Sequence, residues 1–247
     1  MIGELANHAL QLGFLDSFTD AIDFIFNPQE SRFATDKVGG PDFVLELTID
    51  HLRLTALGLG SALVLALPAG VILGHIGRGE FLAVAVGNAG RAIPELALIA
   101  FVAAFIGVGL LNVTIALMVL GIPPILTNAY VGIRQVDRST VEAARGMGMR
   151  ATQIITRVEL PLAVPTIMSG VRTAAVNIVA TATIAPLAGE QSLGTLILGR
   201  NVYGAEGVLA GAILVALLAL TIEFALAGLQ RLLTPEGLRL SREPSAA

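Results

Sequence analysis

The chain has 247 residues, of which 55% are hydrophobic and only 14% charged, and its formal net charge is −4. Soluble domains carry about 25% charged residues, so the deficit speaks against one or two soluble globular domains. With no cysteine, thiol chemistry is excluded. The deficit is concentrated in runs, and from Leu96 to Ile133 there is no charged residue. That stretch exceeds one span of about 20 residues and suits two spans joined by a turn. The composition therefore predicts an all-α, polytopic membrane protein.

Residues 1–50 are acidic, with carboxylates far outnumbering Arg32 and Lys37. The segment lacks a basic start, so it is not read as a secretory signal peptide. Phe14, Phe18, Ile22, Ile25 and Phe26 recur at near-helical spacing and predict an amphipathic helix on the membrane surface, on the extracytoplasmic side. A partner-docking element is the second reading. Asn27–Pro28 and Gly39–Gly40–Pro41 punctuate the segment as turns.

The spans follow in order. Leu54–Gly74 is the first, with Pro68 able to kink it and Gly70 and Gly74 spaced to let another helix approach closely. Residues Phe81–Arg91 are expected along the interface. Ile93–Leu111 is the second span, with Glu95 near its start, and Gly107, Gly109 and Asn112 mark a turn. Asn112–Ile133 is the third, interrupted by Pro123–Pro124, either as a kink or as a break lining a pathway. Ile167–Ala188 is the fourth, and Gly207–Leu229 the fifth. Between these two, Glu190–Gly204 reads as an outside loop, partly re-entrant. Arg172 and Glu223 lie near span ends, where snorkelling is the simplest expectation, although intramembrane charge also hints at function. The chain thus divides into residues 1–50, a transmembrane domain 51–233 and a tail 234–247. Basic residues favour the cytoplasmic side. Arg78, Arg91, Arg134, Arg138, Arg145, Arg150, Arg157, Arg231, Arg239 and Arg242 fall together if the N-terminus is outside and the C-terminus cytoplasmic.

Residues 134–165 are too polar to span the bilayer. Ser139 and Glu142 fit a capping box opening a short helix, Thr140–Arg145, which Gly146 and Gly148 end. Ala143 and Ala144 leave a smooth surface. A second short helix, Ala151–Val158, is expected to stop at Leu160–Pro161. Two short helices joined by a glycine turn suit insertion into a partner's groove.

Glu142-Ala143-Ala144, three residues, Gly148, nine residues, Val158, one residue and Leu160-Pro161 resemble the EAA loop of bacterial ABC-importer permeases, with Val158 in place of the commoner Ile. Arg91-Ala92-Ile93-Pro94, Val158 to Ala163, and Gly170 to Ala174 with Ala180 to Thr183 resemble the permeases of glycine betaine, carnitine and choline importers. The likeness runs from about Leu54 to Leu233. Glu95 departs from the small polar residue expected there. The resemblance implies the type I importer permease fold in a bacterial cytoplasmic membrane. It also implies two ATPase subunits carrying ATP and magnesium, a second permease subunit, identical or paralogous, and an extracytoplasmic substrate-binding protein. It assigns ATPase coupling to Glu142, Ala143, Ala144, Gly148, Val158, Leu160 and Pro161.

No cofactor or catalytic site is expected in this chain. The one lysine, Lys37, lies in no phosphate-cradling loop, and His8, His51 and His75 are scattered without metal or triad partners. Nucleic acid is not an expected partner. With no tryptophan and only Tyr130 and Tyr203, an aromatic cage for quaternary ammonium is out of reach. Thr173, Asn177, Thr181 and Thr183 are candidates for lining the path, or for hydrogen bonds between helices. Other cargo, such as methionine or a polar amino acid, is the first alternative. An ATP-independent channel or secondary transporter is another, although no repeated halves are visible. A non-transporting scaffold is the last.

Overall fold

The computed structural model describes residues 15–32, 37–235 and 237. Phe14 and the basic residues Arg239 and Arg242 lie outside them. Helix α1 covers residues 15–26. A hairpin follows, with β1 (Pro28–Glu30) antiparallel to β2 (Lys37–Gly39), Gln29 pairing with Val38. Helices α2 (Pro41–Ile76), α3 (Glu80–Ala92), α4 (Glu95–Ile106), α5 (Leu110–Arg134), α6 (Arg138–Gly146) and α7 (Ala151–Ile154) come next. A π-helical turn, Ile155–Glu159, leads into α8 (Leu160–Thr181), which passes into a 3₁₀ segment, Ala182–Ala188. Helices α9 (Gly194–Leu198) and α10 (Arg200–Leu233) complete the order.

Four helical rods are long and apolar enough to cross a bilayer: α2, α5, the continuous stretch Ala151–Ala188, and α10. The apolar helix α4 is shorter, at 12 residues. Large apolar side chains such as Val64, Phe101, Phe105 and Phe224 lie on the outside, as lipid contact requires of a spanning bundle. The first rod starts at Pro41 rather than near residue 51. Its N-terminal turns belong with the acidic segment, so residue 51 is no structural boundary.

Helix α5 is the centre of the bundle, packed against α2, α3, α4 and α8. Its contact with α2 depends on glycine. A Cβ on Gly58 would stand 2.6 Å from the Cβ of Leu117, one on Gly70 2.7 Å from the Cβ of Ala129, and one on Gly74 2.8 Å from the Cβ of Ile133. The expected close approach at Gly70 and Gly74 is therefore realised, and Gly58 extends it by three helical turns. Gly121 of α5 faces Ala62 of α2 and Ile178 of α8 in the same way.

Two local expectations are overturned and one is narrowed. Helix α5 runs through Pro123 and Pro124 without a break, which leaves the kink of the two readings there, and the Asn128 amide donates to the Pro124 carbonyl at 2.8 Å. The helix also does not stop at Leu160–Pro161. The π turn moves the Leu160 N–H onto the Ile155 carbonyl, and the widened turn leaves room for the proline ring that would clash in a regular helix. Residues 15–26, rather than lying free on a surface, place Ala21 and Phe24 in a core with Leu47, Leu193, Leu196 and Ala210, while Ile22 and Phe26 stay exposed. Phe24 meets the Tyr203 ring edge-on, with centroids 6.5 Å apart.

A side chain at Gly70 must push the backbone of α5 away, so Gly70→Val is expected to lower stability by about 1–3 kcal/mol. Gly60 faces open space, so Gly60→Ala is expected to be neutral. Thermal aggregation of the detergent-solubilised variants, followed by size-exclusion chromatography, checks the pair.

Candidate functional site

The polar loop between α5 and α8 is ordered by its own hydrogen bonds. Asp137 is the N-cap of α6 and accepts from the Ser139 backbone N–H at 3.0 Å and the Ser139 hydroxyl at 2.8 Å. The expected capping box of Ser139 and Glu142 is thus replaced by a cap two residues earlier, and α6 starts at Arg138. Both Ser139 donors hold the Asp137 carboxyl below the usual carboxylate range. At the other end, the N–H groups of Met147, Gly148 and Met149 close onto the carbonyls of Ala143, Arg145 and Ala144. Gly148 turns the chain with φ of +80° and open space around its Cβ position. A branched residue there is opposed by backbone strain alone.

Glu142 and Ala143 are exposed on α6. Ala144 is not part of that smooth face; it is 3% exposed and packs inward. Met147, at the tip, is 77% exposed. Sequence reasoning passed over it, although a methionine set between Gly146 and Gly148 in a polar loop is the available signal. Val158, Leu160 and Pro161 are half-buried in the π turn and the start of α8.

Glu159, within that turn, is almost fully buried, and its Oε2 lies 2.7 Å from Nδ1 of His75 on α2. This contact fastens the loop to the bundle's first rod. Beside it is a cavity of about 290 Å³ lined by His75, Glu159, Glu142, Arg134, Arg138 and Arg145. Sequence separation had left His75 without a partner.

A second polar region runs along the exposed stripe of α8, where Ser169, Thr173 and Asn177 recur every fourth residue. The stripe borders two cavities. One, of about 440 Å³, lies between α8, α5 and the α3–α4 junction and includes Glu95, Thr127 and Asn128. The other, of about 460 Å³, faces α10 and includes Arg172 and Glu223. Thr173 and Asn177 line both. Thr181 is buried, and neither it nor Thr183 lines either cavity. Arg172 and Glu223 do not snorkel apart: the Arg172 Nε donates to Glu223 Oε1 at 3.0 Å, and its Nη1 to Gln230 at 3.1 Å. An ion pair shared by two helices lowers the cost of both charges at this depth.

A bundle of apolar helices with an exposed polar loop and a polar cavity between helices suits a transport subunit. The model of the binding-protein-dependent transport system inner membrane component family matches residues 66–236. The chain belongs to that family: it is a membrane-embedded permease component of an ABC importer, and not an enzyme. It is 38% identical over 201 residues to the carnitine transport permease protein OpuCB of Listeria monocytogenes, covering 81% of this chain and 92% of that protein. Against the choline transport system permease protein OpuBB of Bacillus subtilis the identity is 35%, covering 82% and 94%. In three dimensions it is similar to the MetNI methionine ABC transporter in an inward-facing conformation. There the TM-score is 0.68 at 23% identity, covering 78% of this chain and 96% of that one. That likeness establishes the type I permease fold.

Two expectations follow from the loop. His75→Ala leaves the buried Glu159 oxygen without its partner and is expected to cost about 1–3 kcal/mol, read as a lowered melting temperature in detergent, with His75→Gln closer to wild type. The depressed Asp137 carboxyl stabilises α6 fully above the ordinary carboxylate range, and this contribution fades as pH falls through the depressed value. Hydrogen exchange of Arg138–Gly146, corrected for intrinsic rate, is expected to stay constant near neutrality and to accelerate only in acid. Asp137→Asn is expected to remove that acid step.

Proposed function

We propose that the chain forms part of the translocation path of an importer for a small osmoprotectant such as glycine betaine, carnitine or choline. The observation that carries this reading is the set of relatives named for those solutes, which are 33–38% identical over three quarters or more of the chain. Cargo such as methionine has only a likeness of fold behind it.

In this reading two ATPase subunits bind ATP and magnesium and receive the loop between α5 and α8. Glu142, Ala143 and Met147 present the docking surface. Ala144, Val158, Leu160 and Pro161 shape it from within, and Gly148 supplies its turn. A second permease subunit, identical or paralogous, completes the path, and an extracytoplasmic binding protein delivers the solute. The loop is cytoplasmic, with the N-terminus outside and the C-terminus inside, as the basic residues favour. Nucleotide binding biases a two-state interface between inward-open and outward-open arrangements. Thr173 and Asn177 face the path.

Radiolabelled glycine betaine uptake in cells expressing the importer tests the reading. Gly148→Val is expected to reduce uptake to background while the chain stays in the membrane; normal uptake would remove the loop from coupling. Because the chain has no cysteine, Ala143→Cys gives a single reporter. It is expected to crosslink to a co-expressed ATPase bearing a cysteine in its docking cleft. Labelling from the outside only would overturn the orientation.

A further inference from the structure

The cavity of about 290 Å³ between the polar loop and the end of the bundle gathers more positive charge than its carboxylates balance. Helix α6 lines it with Arg138, Val141, Glu142 and Arg145, which share one face at spacings of three and four residues. Ala143 and Met147 do not line it, so the cavity stays open while those two serve the proposed docking. Opposite stand Arg134, at the end of α5, and the Gly74–Gly77 turn that ends α2. Gly77 turns with φ of +71°, and a Cβ there would stand 3.1 Å from Nη1 of Arg134. Among the described residues, the side chains of Arg134, Arg138 and Arg145 have no hydrogen-bond or ion-pair partner. Of the two carboxylates in the lining, Glu159 is taken up by His75 at 2.7 Å. That leaves Glu142 alone against three guanidiniums.

A guanidinium carries several N–H donors and accepts nothing, so this lining selects an oxyanion that can take many of them at once, phosphate above all. The carbonyl ends of α2 and α5 meet at the same corner; they favour the arginines there and leave the outer N–H groups for a ligand. A second feature points to the source of the phosphate. Ile76, also in the lining, is 57% exposed, and with Ile72 and Leu65, at 51% and 52%, it forms an apolar stripe on one face of α2. The stripe runs from the cavity into the spanning part of that rod. Free phosphate would use the guanidiniums alone, whereas a phospholipid uses both features. Basic pockets where spanning helices end suit anionic headgroups. A choline headgroup would bring its own cation against the same arginines, so the lining favours a lipid of net negative charge.

We propose that this cavity binds the phosphate of an anionic phospholipid, which clamps α6 to the ends of α2 and α5 while an acyl chain lies along Ile76, Ile72 and Leu65. The site needs only the membrane setting and stands apart from the cargo. The full-length chain, purified in a maltoside detergent, is titrated with dioleoyl phosphatidylglycerol or with phosphatidylcholine of the same chains, and bound lipid is counted by native mass spectrometry. Phosphatidylglycerol is expected to bind about tenfold more tightly than phosphatidylcholine, and inorganic phosphate is expected not to displace it. Arg134→Gln combined with Arg138→Gln is expected to bring phosphatidylglycerol down to the phosphatidylcholine level and to leave phosphatidylcholine binding unchanged. Glu142→Gln is expected to strengthen phosphatidylglycerol binding, a gain that no folding defect produces. Arg157→Gln, on the same loop but outside the cavity, is expected to behave as wild type. Equal binding of the two lipids by the wild type, selectivity that survives the double substitution, or an equal loss in Arg157→Gln would overturn the site. Displacement by inorganic phosphate would make a free oxyanion the ligand and overturn the lipid assignment.

Discussion

The close approach of α2 to α5 is the contact on which the rest of this bundle depends. Inside a bilayer there is no water to drive helices together, so packing and small residues must do it. Gly58, Gly70 and Gly74 bring the two backbones together along three helical turns and more. Helices α3, α4 and α8 then dock on the remaining faces of α5. The cavity wall built from Thr127 and Asn128 therefore stands on the helix that is held most firmly.

The second constraint is continuity. From Ala151 to Ala188 the chain is one helical rod, with the polar loop at one end and the Ser169, Thr173 and Asn177 stripe along its length. In a regular helix the Pro161 ring would crowd the preceding turn. The π turn accepts the proline and at the same time turns Glu159 inward to His75. In the proposed coupling, a movement imposed on the loop would reach the cavity lining along this rod, and α2 through the His75–Glu159 contact. The Arg172–Glu223 pair couples the same rod to α10.

Much of this was legible in the sequence, and the failures share a cause. Gly70 and Gly74 declare a helix contact by spacing alone, and the uncharged runs declare spans. The loop's glycine turn at Gly148 is legible because only φ matters there. Pro161 was misread because local rules take a proline as a stop, and the widening that rescues it is a property of the whole turn. Ser139 and Glu142 satisfy a capping pattern, yet Asp137, two residues earlier, offers a stronger acceptor and wins. Pairings across long separation, His75 with Glu159 and Arg172 with Glu223, follow from helix packing that no local pattern encodes. Thr181 was grouped with Thr173 and Asn177 by residue type, whereas helical phase turns it into the core.

The central claim of the proposed coupling is that the polar loop and the cavity wall move as one body. Spin labels at Thr152 and Gln191, both exposed and near opposite ends of the rod, would report it by pulsed electron paramagnetic resonance in the assembled importer. The account predicts that this distance changes by less than about 2 Å between nucleotide-free and ATP-bound states, while the Thr152 label shifts relative to a label on the second permease subunit. A rod that shortens or bends on ATP binding, with the two permease loops unmoved, would contradict it.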